Sequence, residues 1–315
     1  MNRKILISGL LVLFLSTQIN AQEQITEFLK AGKEDAKVLS EAYITPVGRM
    51  LGSSLNGGWY NTASTHSLLG FDVKFEVNIS TVSQDSRNFD VNGLNLSKWK
   101  LQQGSNNQAP TLSGKMDNNR PVLLKTNSPV LSSVERLEMP NGLGWDFMPM
   151  PMLQAGVGLP FHTEIIGRGF IPIRMNGFSM VNFGVGLKHD IKEDLPVIKH
   201  LPFFQLSGLA GYTHFGMNYD KSDKNIGMNL SAFTARLITG IDVPFIAVYL
   251  GLGYGNTSCK FNIKDANKSV SSSINNGSFD SNLGLRLKLG LLTIHGDYTF
   301  GTYPVISAGV GVTFR

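Results

Sequence analysis

Between Gly277 and the C-terminal Arg315 the chain alternates apolar and polar positions with a period of two. Leu283, Leu285, Leu287 and Leu289 alternate with Asn282, Gly284, Arg286 and Lys288, and Leu292, Ile294, Tyr298 and Phe300 alternate with Thr293, His295, Asp297 and Thr299. A third run sets Ile306, Ala308, Val310, Val312 and Phe314 against Ser307, Gly309, Gly311 and Thr313. Successive side chains on a strand point to opposite faces, so each run predicts a strand with one apolar face and one polar or glycine face. In a soluble sandwich the polar face would be the solvated one, and it would rarely be so rich in glycine. The pattern therefore reads inside out, with apolar residues toward lipid and polar residues toward a lumen.

The same alternation marks a strand at Phe71 to Ile79 and further strands at 153–159, 164–174, 179–188, 203–215, 229–243 and 245–262. Counted together, and allowing for hairpins within a long polar region, they predict an all-β fold, a transmembrane antiparallel β-barrel of about ten to fourteen strands. The even number of clear strands places short connectors at one end. The long polar region at about 81–145 and the looser stretch from Asn262 to Asn276 fall at the other end, expected to be extracellular.

Ahead of the first strand, Gln24 to Tyr43 has helical spacing, with an apolar face of Ile25, Phe28, Leu29 and Leu39 and with Pro46 and Gly48 expected to close it. Residues 22–65 are read as a helical plug inside the barrel formed by 66–315; a helix docked loosely on the periplasmic side is the alternative. Residues 1–21 have the layout of a secretory signal, with Asn2, Arg3 and Lys4 before an apolar run and a cut after Ala21. That run is too short to span a bilayer, and no later stretch offers the roughly 18 uninterrupted apolar residues that a helix would need.

Composition sharpens this picture at three points. Only 42% of residues are hydrophobic and mean hydropathy is near zero; a closed sheet satisfies its backbone in lipid while making only every second residue apolar, so the low value does not argue against a membrane. The 34 glycines include Gly156, Gly158, Gly184, Gly186, Gly251, Gly253, Gly255, Gly309 and Gly311 on inward positions, where they make room inside the barrel or mark bulges. The net charge of +5 is too weak and too dispersed to argue for a nucleic-acid partner, and none is expected.

Candidate chemistry is sparse. The inward polar set includes Lys74, Glu76, Arg168, Arg174, Arg236, Asp242, Arg286, Lys288, His295 and Asp297, which form either an internal salt-bridge lattice or a polar path. His295 and Asp297 share a strand face and His189 precedes Asp190, the residue types of a general base, yet no nucleophile motif accompanies them. No metal-ligand spacing or phosphate loop stands out and Cys259 is a lone cysteine; no enzyme and no cofactor are expected.

Gly184-Val185-Gly186-Leu187-Lys188-His189-Asp190-Ile191, followed by Leu201-Pro202-Phe203-Phe204 and Leu209-Ala210-Gly211-Tyr212-Thr213, together with the layout, resembles an uncharacterised family of outer-membrane barrels from Bacteroidota, itself similar in layout to the long-chain fatty-acid transporters. The resemblance implies a location in the outer membrane, contact with its lipid, and a channel or transporter for small compounds, hydrophobic ligands included. The alternatives are a structural or surface-interaction barrel and, behind it, an outer-membrane hydrolase. Phe314, the penultimate residue, resembles the C-terminal signature read by the barrel assembly machinery, with Arg315 as a departure.

Overall fold

The computed structural model describes residues 25–126, 135–221 and 224–314; the expected export segment lies outside them. Ten antiparallel strands close into a barrel. They are β1 (Phe71–Thr81), β2 (Phe147–Leu159), β3 (Thr163–Met175), β4 (Phe178–Asp190), β5 (Phe204–Lys221), β6 (Lys224–Val243), β7 (Ile246–Asp265), β8 (Lys268–Leu289), β9 (Leu292–Phe300) and β10 (Val305–Phe314). Each pairs with its chain neighbour, and β1 pairs with β10 to close the ring, from Phe71 opposite Phe314 to Ser80 opposite Val305.

The alternation sorts its faces as the period requires. Leu283, Leu285 and Leu287 are exposed on the outside, while Asn282 and Arg286 are buried within. A closed sheet wearing a continuous belt of exposed Leu, Val, Ile and Phe is a membrane-spanning wall, because no soluble surface leaves so much apolar area in water. Tyr254 and Phe279, with ring centroids 5.1 Å apart, lie at one edge of the belt, and Phe71 and Phe314, 5.8 Å apart, lie at the other. From Phe279 to Leu289 the strand climbs roughly 25 Å at a tilt near 45°.

Beyond that edge the pattern inverts. On β7 the outward residues change from Ile246, Val248, Leu250, Leu252 and Tyr254 to Asn256, Ser258, Lys260, Asn262 and Lys264, while the inward ones become Cys259, Phe261 and Ile263. On β8, Ser269, Ser271, Ser273 and Asn275 face out, and Val270 and Ile274 are buried inside. The stretch from Asn262 to Asn276, expected as a loose connector, is instead the tip of the β7–β8 hairpin, paired down to Asp265 opposite Lys268. Here the wall rises out of lipid into water, and its apolar side turns inward to meet a filled interior.

The wall is uneven at one place. Pairing of β2 with β3 stops at Leu153 opposite Gly169, although β2 continues to Phe147 along β1 and β3 to Met175 along β4. Pro149, Pro151 and Pro172 lie on these unpaired lengths, where the lack of an N–H costs no ladder bond. A register shift on β3 between Phe170 and Ile173 also turns Arg174 outward. It is exposed, which corrects its expected place in the lumen.

Candidate functional site

The lumen is occupied by the chain's own N-terminal segment. After a short 3-10 turn at Phe28–Ala31 and a break at Gly32, whose φ of 86° suits glycine, helix α1 runs from Lys33 to Asn56. It does not end at Pro46 or Gly48. Proline forfeits a single helical N–H, and the close fit of the next turns against the wall compensates: a Cβ on Gly48 would lie 3.3 Å from Cys259 Sγ, and one on Gly52 would lie 2.6 Å from Thr257 Cγ2. Past Asn56 the chain crosses the lower lumen in extended form and leaves at the end opposite the long loop, to begin β1.

The plug has two storeys. Toward the long loop, Phe28, Leu39, Tyr43 and Met50 of the plug are fully buried, in one cluster with Met148, Met150, Phe215 and Phe261 of the wall. Ile25 and Leu29 belong to the same cluster. The loop closes over it with two small sheets, which pair 88–90 with 108–110 and join 99–101, 122–125 and 136–138. Trp99 Nε1 donates to Ala31 O at 2.9 Å, Leu112 N donates to Tyr43 O at 2.9 Å, and Asp35 accepts from Ser97 N and Lys98 N at 2.6 and 2.8 Å.

The lower storey is polar. A helix ends in unpaired carbonyls at the negative end of its dipole, and α1 carries no basic residue in its last turn. The wall supplies the donors instead. Arg168 donates to Leu55 O and, at 2.8 Å, to Gly57 O, bonds Thr213 Oγ1 at 2.7 Å, and stacks 3.6 Å above the Trp59 ring. Lys74 Nζ donates to Gly58 O at 2.9 Å, and Gln154 Nε2 donates to Trp59 O at 2.9 Å. Asn78 Nδ2 donates to Ser54 O at 3.1 Å, and Lys188 Nζ donates to Thr62 O at 2.8 Å.

Glycines give these groups space. The Trp59 ring lies flat against the wall where a Cβ on Gly186 or Gly211 would come within 2.6 Å of it. Gly251 and Gly255 similarly face Tyr60 and Asn56. Gly184 and Gly253 instead meet wall atoms, while Gly309 meets His295 and Gly311 meets Lys74. Room for the plug thus accounts for some of the inward glycines, and close contacts within the wall account for the others.

Most charges of the wall pair with each other. Lys74 and His295 both bond Glu76, each at 2.9 Å; Arg236 pairs with Asp280; and Arg286 pairs with Asp242 at 3.1 Å. The general-base pairing suggested by strand period does not form, since Asp297 is held by Tyr249 Oη at 3.3 Å. His189 likewise bonds Asp194 at 2.8 Å instead of Asp190. Lys288 is half-buried near the end of β8. The contact between α1 and the loop was not legible in sequence, because it runs through hydrogen bonds between residues distant in the chain, such as Trp99 and Ala31, 68 positions apart.

No curated protein matches the chain in sequence. Solved structures that resemble it include the translocator domain of the autotransporter NalP from Neisseria meningitidis, at 13% identity, a TM-score of 0.39 and coverage of 88% of this chain and 97% of that one. Others are the attachment invasion locus protein Ail of Yersinia pestis (11%, 0.30, 79% and 99%) and the outer membrane protease OmpT of Escherichia coli (8%, 0.31, 80% and 100%). At such scores the fold stands on the closed sheet and its outward apolar belt, and the resemblance to fatty-acid transporters receives no support. A family model covers residues 1–314, and the chain accordingly belongs to the family of unknown function DUF6588.

Proposed function

We propose that this chain is an outer-membrane transport barrel for small solutes, held shut by residues 33–66 and opened when they shift. The observation that carries the reading is the division of charge between plug and wall. From Met50 to Thr65 the plug bears no charged side chain, whereas the wall around it is charged and largely paired within itself. Shifting this charge-free stretch therefore breaks none of these wall ion pairs and leaves them to line the opened lumen, while Arg168 and Lys188 exchange plug carbonyls for water. A helix with its side chains is about 10–12 Å across, so its departure would clear a pore wide enough for small solutes. A purely structural barrel has no need of a wall prepared in this way.

The test is conductance in planar bilayers. Deleting residues 22–64 is expected to leave an assembled barrel with raised conductance, while a structural barrel that contains no path would conduct no more than the full chain. A second reading, exchange of apolar compounds with the membrane, is favoured by the unpaired seam between β2 and β3 and by the Met148, Met150 and Met152 side chains buried behind it. Adaptable methionines suit such ligands. That reading expects uptake of an apolar dye to fall when the seam is closed by crosslinking β2 to β3.

A further inference from the structure

Where the plug leaves the barrel, three residues from separate elements converge: His66 from the plug's exit, Asp72 from β1 and Glu164 from β3. Their ligand-type atoms all lie within 4.8 Å of one another, with His66 Nε2 3.4 Å from Asp72 Oδ1. Adjacent ligands on a tetrahedral zinc ion, each about 2.0–2.2 Å from the metal, stand roughly 3.3–3.6 Å apart, so the His66–Asp72 spacing already fits and Glu164 needs only a small approach. The two carboxylates aim at one point. A Cβ on Gly156 would lie 2.7 Å from both Asp72 Oδ1 and Glu164 Oε1, so only glycine there leaves the space in which they meet.

Two further observations point to a cation. Asp72 is 8% exposed, and its Oδ1 is buried without a hydrogen-bond partner in bonding geometry. Among the described residues no lysine or arginine nitrogen lies within 4.0 Å of either carboxylate. Lys188, the nearby cation opposite Glu164 on β4, spends its ammonium on the carbonyls of Thr62 and Ser64, at 2.8 and 2.5 Å. Lys74 spends its own on Glu76 and Gly58 O. Two buried carboxylates this close repel unless a proton or a cation joins them. A cavity of about 10 Å³, lined in part by these three residues, is of the order needed for one water-sized body.

We propose that His66, Asp72 and Glu164 bind a divalent transition metal, the imidazole favouring an ion such as zinc over magnesium or calcium, and that the ion clasps the plug's exit to β1 and β3. The test uses the full chain, folded in detergent and stripped with chelator. Calorimetric titration with zinc should show a single saturable site, lost in His66→Ala and Glu164→Gln while both variants keep the heat-modifiable gel mobility of a folded barrel. Cobalt added to the unmutated protein should give visible absorption bands of low-symmetry coordination, a readout that needs no variant. Zinc uptake unchanged in both variants, or no cobalt bands and no zinc uptake by the unmutated chain, overturns the proposal. Because none of these readouts involves conductance, the clasp can fail while the transport reading stands, and the reverse.

Discussion

Arg168 is the side chain on which plug docking depends most, and replacing it by methionine gives a number to test. The guanidinium is 5% exposed and bonds two plug carbonyls, Leu55 O and Gly57 O, besides Thr213. Asn78 Nδ2 also reaches Gly57 O, at 3.3 Å, so methionine leaves Leu55 O and Thr213 Oγ1 as the groups that lose most. Each buried group left without its partner costs about 1–3 kcal/mol, and the stacking on Trp59 is worth roughly another 1–2 kcal/mol when desolvated. Relief from burying the charge offsets part of this, so a net loss of about 2–4 kcal/mol is expected. Arg174→Met on the same strand removes the same charge from an exposed position and should stay within about 0.5 kcal/mol. Urea titration in lipid vesicles, with protease susceptibility of the plug as a second readout, measures both. Equal losses in the two variants, or a larger one at Arg174, would refute the assignment of Arg168 as the plug's anchor.

Two further substitutions probe the two sides of the wall. Leu285→Arg puts a charge on the lipid face near mid-belt and should cost roughly 2–4 kcal/mol in vesicle folding titrations, whereas the neighbouring Arg286→Leu should disturb lipid contact far less; the reverse order would reject the inside-out wall. Gly211→Val drives a methyl-bearing carbon into the Trp59 ring and should cost about 1–3 kcal/mol through overpacking, seen as faster proteolysis of residues 57–66 in a barrel that still folds; an unchanged digestion pattern would mean that Trp59 does not pack there.

The barrel was legible because period two survives wherever one face meets lipid, as at Leu283 to Leu289. It failed where the strands leave the membrane: at Ser269 to Asn275 the outward face is polar, and the inward Val270 and Ile274 are too widely spaced to signal a strand. Pro46 and Gly48 misled for a related reason, since local rules end a helix there, while contacts with Thr257 and Cys259, far off in sequence, sustain it. Arg174 was misplaced because a bulge leaves no mark in the alternation. The inward charges on regular stretches, Lys74, Glu76, Arg236, Asp242 and His295, could be listed from strand parity, but their partners depend on register between strands, which the sequence does not encode locally.

The central claim is that residues 33–66 run through the lumen, and one substitution tests it. A cysteine at position 48 would have its Cβ 3.6 Å from the Cβ of Cys259 on β7, within the separation of about 3.5–4.5 Å that a disulfide requires. Cys259 is the chain's single cysteine, so Gly48→Cys creates the only possible intramolecular pair. Mild oxidation of the folded variant should join the two within one chain, identified by mass spectrometry as a linked peptide that reduction releases. Recovery of free thiols at both positions, or of disulfides only between chains, from a barrel shown to be folded would contradict the threaded plug.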